Sequence, residues 1–384
     1  MNLTKSKNNI DVVYASTGGY REIIDDINND NHTNIIDFEE INGDNISSFT
    51  RSAIESMPKK ECIILLHLTE AFSSVYWNVV FDIIKNAGYK KVIWIDGGLT
   101  PGYMYRHIKD LDISHKTSYY FFSRLLNEKN TMYSDNLDYK DRKYHYVSLG
   151  RLTRRERVYF TNKITEDTDL KNKGIISCGW GNNEKNTIWK DNYHLQCAQD
   201  IIGENIDKFP ISLGDKDHEQ YDILNNFDLA VFNVVQESSV GFNSISYDTT
   251  YSSNPYWSSI DSDRHFFTEK SAKPFLMGQI PLFIASPGYV EQLRKLGFDL
   301  FDDIINHDYD KEDFILKRCN ILYQELKRLS LQDLNNLNYN VKTYCLPRLQ
   351  KNLDKLVQLG SKDNLVKWIN NQIIYTLRRS KTTM

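Results

Sequence analysis

Four arginines, Arg151, Arg154, Arg155 and Arg157, crowd the stretch LGRLTRRERVYFTNKI at 149–164. An apolar run ends just before them and a helical pattern follows, so they mark a strand turning into a helix. Arginine forks match phosphate oxygens in pairs. Backbone N–H groups and the dipole at a helix N-terminus favour the same anion. Cationic side chains at that end oppose the dipole, and an anion would offset them. The chemistry expected is phosphate binding, with Arg151, Arg154 and Arg157 as candidates. A solvated basic helix start is the plainer alternative.

A second cluster lies in HFFTEKSAKPFLMGQIPLFIASPG, residues 265–288. Thr268 can cap a helix through its hydroxyl. Glu269 suits the first turn, whereas Lys270 stands at the wrong end of the dipole. Pro274 requires that the regular helix begin near Ser271 or kink. A carboxylate placed here can hold the two hydroxyls of a ribose while the ammonium reaches phosphate; an ordinary Thr-Glu helix start is the alternative.

The surrounding elements alternate. Strand-like runs at 11–16, 34–40, 61–70 and 90–98 are separated by helical patterns at 45–57 and 74–88, and TSYYFFSRLL at 117–126 is expected to add a further strand. Such alternation predicts right-handed βαβ units and a parallel sheet. Residues 127–142 are polar and unpatterned, as in a linker or exposed excursion. A second alternating region follows, and beyond about residue 310 the pattern is all helical. The fold expected is α/β: a Rossmann-like domain at 1–142, a second at 143–310 across a cleft, and C-terminal helices at 311–384 packing back on both. Ligands bind such sheets outside the carboxyl ends of the strands.

Composition narrows the partners. The chain has 384 residues and a net charge of −4, which disfavours broad nucleic-acid binding. Five cysteines at 62, 178, 197, 319 and 345 show no CxxC spacing, which suggests a reducing compartment without disulfides or a zinc site. No apolar run approaches bilayer length and no signal peptide is evident, so a cytoplasmic protein with no membrane partner is expected. Asp-x-Asp, a spacing that can hold a metal at the end of an apolar strand, occurs five times (110–112, 167–169, 215–217, 261–263, 308–310), close to chance in an Asp-rich chain.

The order of these features resembles the donor-binding half of the alpha-1,3-fucosyltransferase family, and more closely the fucosyltransferase-like glycosyltransferases of bacteriophage and other viral genomes. The likeness spans roughly 148–310 and rests on TEKSAKP, IPLF, LGFDLFDDI and HDYD. It implies the two-domain GT-B architecture and an inverting, metal-independent transfer from a nucleotide sugar, with no cofactor. Glu269 would bind the donor ribose, and Lys270 the ribose or diphosphate. Arg154 or Arg157 would neutralise the leaving diphosphate, and Glu237 would be a polar donor contact. Two positions depart from the family pattern: Phe266 stands where it has Tyr, and Gln236-Glu237 where it has Asn. Both leave the sugar open.

Such a transfer needs a base for the acceptor hydroxyl. Candidates after N-terminal strands are Glu70, then Asp96; His67, inside an apolar run, reads as a core histidine. The STGGYR loop at 16–21 suits acceptor contact or plain turn geometry. The acceptor is a glycan or a hydroxymethylpyrimidine of viral DNA. The alternative is a non-catalytic nucleotide-sugar- or glycan-binding protein, or a virion-associated one, that retains the fold.

Overall fold

The computed structural model describes residues 2–14, 20–28, 32–38, 41, 45–67, 74–96, 111–118, 137–150, 155–178, 229–237, 267 and 269–382, with backbone alone at 2, 74–76, 155, 269 and 376–382. The chain divides into two compact units. The first takes the described residues up to Ser118, Phe267 and those from Val357 onward; the second takes those of 137–237 and 269–356.

The first unit holds a six-stranded sheet in the order β1 (Asn2–Lys5), β2 (Asp11–Tyr14), β3 (Thr33–Asp37), β4 (Cys62–His67), β5 (Lys91–Asp96) and β6 (Asp112–Thr117). β1 runs antiparallel to β2, and all other neighbours are parallel. Its central strands read as unbroken apolar runs because both faces are covered. Ile64, Leu66, Ile93 and Ile95 point to one face and pack with Ile23 and Ile24 of α1 (Arg21–Asp26) and with Leu365 and Ile369 of the C-terminal helix. Ile63, Leu65 and Trp94 point to the other, against Ala53 of α2 (Ile46–Ser56) and Trp77 and Phe81 of α3 (Ser74–Asn86). The Trp77 and Trp94 rings lie 4.8 Å apart.

Two expectations change here. β2, β3 and β4 step one way across the sheet, yet α1 and α2 lie on opposite faces. The two connections therefore have opposite hands, and only one of them is the right-handed unit expected. A strand, β6, runs at 112–117, ahead of the one expected at 117–126, whose residues 119–126 lie outside the described ones. DISHKT is a half-exposed edge and carries no apolar run to reveal it.

The second unit holds β7 (Tyr144–Gly150), β8 (Gly174–Cys178), β9 (Ala230–Gln236) and β10 (Ile280–Ile284), all parallel, in the order β10-β9-β7-β8. α4 (Arg155–Glu166) and the short α5 (Thr168–Lys171) join β7 to β8. Gly174 is required where it stands, since a Cβ there would come within 2.2 Å of the Tyr146 ring. α6 (Glu269–Leu276) leads into β10, and α7 (Tyr289–Lys295) follows it. α8 (Ile315–Leu329), α9 (Leu334–Asn340), a π turn at Val341–Cys345 and α10 (Leu346–Gly360) come next. α11 (Lys362–Thr382) is the C-terminal helix that covers the first unit's sheet. No helix among the described residues is long and apolar enough to cross a membrane.

Part of the expected linker is packed rather than exposed. Tyr139 is buried, and its hydroxyl donates to Asn338 Oδ1 (2.9 Å). Asn338 Oδ1 also accepts from Arg142 N (2.8 Å), and Asn338 Nδ2 donates to Arg142 O (2.9 Å). One asparagine amide thus satisfies backbone that polarity alone marked as loop.

Asp167, in one of the Asp-x-Asp spellings, caps α5 through Leu170 N (3.1 Å) and accepts from Lys327 Nζ (2.6 Å) and Tyr323 OH (2.7 Å) of α8. The Lys327 hydrogen bond is the main cause of a carboxyl pKa lowered to about 2. A lowered folded pKa contributes stability above the unfolded value, near pH 4, that fades as pH falls towards 2. Asp167→Asn should therefore lower stability at pH 7 by about 1–2 kcal/mol, half-exposed Lys327 keeping the effect modest. In urea denaturation the gap from wild type should narrow between pH 7 and pH 3; a gap that does not change with pH would count against this ion pair.

Candidate functional site

In the second sheet the chain steps from β7 to β8 on one side and later reaches β9 on the other. Such a reversal opens a crevice outside the carboxyl ends of the two diverging strands. Those ends are Gly150 of β7 and Gln236 of β9, with Glu237 one residue beyond. α4 begins at Arg155, five residues past the end of β7, and residues 151–154 lie outside the described ones.

Arg157 is buried in the first turns of α4, and its guanidinium donates to the carbonyls of Gln236 (3.1 Å) and Glu237 (3.0 Å). Gln236 Nε2 donates to Ser148 Oγ of β7 (2.9 Å). A Cβ at Gly150 would lie 2.7 Å from Gln236 Oε1, so glycine lets the amide close over the strand end. Burial pushes the Cys178 thiol at the end of β8 up to about 12, so it supplies no thiolate at neutral pH. Two buried acceptor oxygens, Glu156 Oε1 and Gln236 Oε1, make no hydrogen bond among the described residues. Buried acceptors of this kind call for a donor from water or ligand.

The second motif reaches the same edge. The helix begins at Glu269, before the Ser271 start that Pro274 suggested, and Pro274 lies inside it. Lacking an N–H, Pro274 cannot bond the Lys270 carbonyl one turn earlier. Ser271 Oγ donates to Glu237 Oε1, which also accepts from Tyr289 OH of α7 (3.3 Å); Ser271 Oγ and Tyr289 OH are 2.7 Å apart. This fully buried triad fastens the first turn of α6 to the end of β9, and half-buried Lys270 precedes it by one residue.

The expected residues are thus sorted. Arg157 and Glu237 do reach the switch point, both turned inward onto protein groups. Glu269 and Lys270 open α6 beside them. Asp96 ends β5 of the first unit, buried against His115. Glu70, Arg151, Arg154, Phe266 and Thr268 lie outside the described residues. The remaining family-like motifs hold loops. Asp310 of HDYD accepts from Val290 N (3.0 Å) and Glu291 N (3.3 Å) at the start of α7, and burial raises its pKa. Asp299 of LGFDLFDDI is held below the usual carboxylate range by Arg348. Ser271, Tyr289 and Gln236 were missed as site residues because isolated Ser, Tyr and Gln carry no pattern. The same is true of Arg318, whose guanidinium binds the carbonyls of Ala285, after β10, and Glu312.

Fold and edge together define an α/β protein with a mostly parallel six-stranded sheet and a parallel four-stranded sheet, compatible with Rossmann-like strand–helix alternation. No protein-family model, curated protein or solved structure matches the chain.

Glu237→Ala should leave the Ser271 and Tyr289 hydroxyls short of an acceptor and lower stability by about 1–3 kcal/mol, while Glu237→Gln should lose less. Urea denaturation of both variants checks this; an alanine variant as stable as wild type would show that the carboxylate is no anchor.

Proposed function

We propose that the chain is an inverting, metal-independent glycosyltransferase of GT-B architecture, moving a sugar from a nucleotide-sugar donor to an acceptor hydroxyl. The observation that carries this reading is the coincidence of two independent motifs at one switch point. The start of α4 and the start of α6 are each bonded to the carboxyl end of β9, through Arg157 and Ser271. In this reading Lys270 and the arginines of the β7–α4 turn answer the diphosphate, and Glu269 takes the ribose hydroxyls. Arg157 holds the strand end that the nucleotide approaches. The first unit takes the acceptor, a glycan or the hydroxymethylpyrimidine of viral DNA.

A second reading has its own support. Arg157 and Glu237 bond protein groups, as they would in a binding or virion-associated relative that kept the fold without the chemistry.

Thermal-shift screening of the full chain against GDP, UDP, CMP and their sugars, with and without EDTA, tests the proposal. One nucleotide present at 100 times its Kd should stabilise by about 2.7 kcal/mol, with EDTA making no difference. Glu269→Ala should abolish that shift. If no nucleotide stabilises the chain, the glycosyltransferase reading fails.

A further inference from the structure

The chain carries a net charge of −4, yet its C-terminal stretch is locally basic. Between residues 364 and 384 stand four cations, Lys367, Arg378, Arg379 and Lys381, and no Asp or Glu. All four belong to α11, helical from Lys362 to Thr382. This helix lays Leu365, Val366, Ile369 and Ile373 on the first unit's sheet. Lys367 is exposed, as are Ile374 and Tyr375, at 42% and 51%. Trp368 packs only partly against the core.

A fifth cation joins from the sheet. Lys116 of the edge strand β6 stands opposite Ile95, on the side of the sheet that α11 covers. Its Nζ lies 5.5 Å from the centre of the Trp368 ring. The side chain is half-buried, and among the described residues its ammonium makes no ion pair. Burial lowers its pKa, and no carboxylate opposes that. Cations in the last turn of a helix complement its dipole, which accounts for Arg378, Arg379 and Lys381. It does not account for Lys367, early in the helix, or for Lys116 on a strand. A half-buried ammonium without a counter-ion is offset by an anion from outside the chain.

We propose that this face of α11, with the β6 edge beside it, binds the phosphate backbone of DNA. Cations interleaved with aromatic rings suit a file of phosphates with bases beside them. A membrane surface fits less well, because an interfacial helix sinks its apolar face into lipid. α11 already buries that face on its own sheet and leaves only Ile374 and Tyr375 outside. Each element has one carboxylate, at its start. Asp363 precedes the basic stretch, and Asp112 of β6 is paired with Lys91 (2.9 Å). The binding involves the first unit alone and does not depend on the transferase reading. Where both hold, it selects the DNA acceptor over the glycan.

The test is fluorescence anisotropy of a labelled DNA oligonucleotide of mixed sequence, single-stranded or duplex, with the full chain between about 50 and 200 mM salt. Five phosphate contacts predict a slope of log K against log salt of about −3.5 to −4.5. Lys116→Gln, Lys367→Gln and Arg379→Gln should each weaken binding about 3- to 10-fold, whatever the sequence, and flatten the slope by about 1. Replacing Lys367, Arg378, Arg379 and Lys381 together by Gln should abolish binding with an unchanged midpoint of urea denaturation. A wild type that binds no DNA, a slope flatter than about −1, or a fourfold variant that binds as wild type does overturns the proposal. So does binding to phosphatidylserine vesicles without binding to DNA, which makes the face a membrane contact. Nucleotide-induced stabilisation is measured separately on the same protein, so each reading can fail while the other stands.

Discussion

The second unit depends on a buried guanidinium bonded to main-chain oxygen. Arg157 reaches from the start of α4 to the last carbonyls of β9, beyond the strand's last registered pair with β7. Carbonyls at a strand end must find donors if they are buried. A guanidinium can serve two at once and stays charged at any working pH. Arg318 repeats the device from α8 at the end of β10. Each clamp ties a helix to a strand end on the edge where a parallel sheet meets its ligand.

That clamp gives the other polar groups their meaning. Gln236 folds back onto Ser148 because Gly150 leaves it room. Glu237, one residue on, is aimed at Ser271 and Tyr289 and so fixes where α6 begins. The helix that carries Glu269 and Lys270 is therefore placed by a neighbour of Arg157. Replacing a member of such a buried network disturbs more than one bond, since each partner left behind loses a hydrogen bond where water does not readily replace it.

The first unit solves a different problem. Its sheet is covered on both faces, so a polar group at a strand end needs a partner inside the protein. Asp96 finds one in His115, and Asp11 at the far end of β2 finds Lys5 and Lys60, whose bonds lower its pKa against the pull of burial. Among the described residues the aromatic packing of Trp77, Phe81 and Trp94 lies under the His115 ring and gives it a rigid floor.

Much of the secondary structure was legible in the sequence. CIILLH and KVIWID read as buried strands because a strand covered on both faces has no polar alternation to hide it. The openings of α4 and α6 were legible because charge at a helix opening is locally unfavourable and stands out. Edge strands such as DISHKT, and the packed backbone at 137–142, were not, since their partners lie far along the chain. Tertiary structure alone decided where the charges point. The sequence marks Arg157 and Glu237 as candidates for a ligand; the folded chain turns both inward, because β9's carboxyl end reaches Arg157 from 80 residues downstream and the α6 opening reaches Glu237 from 34. Pairing Asp96 with His115 was likewise decided by strand register, which no local pattern encodes.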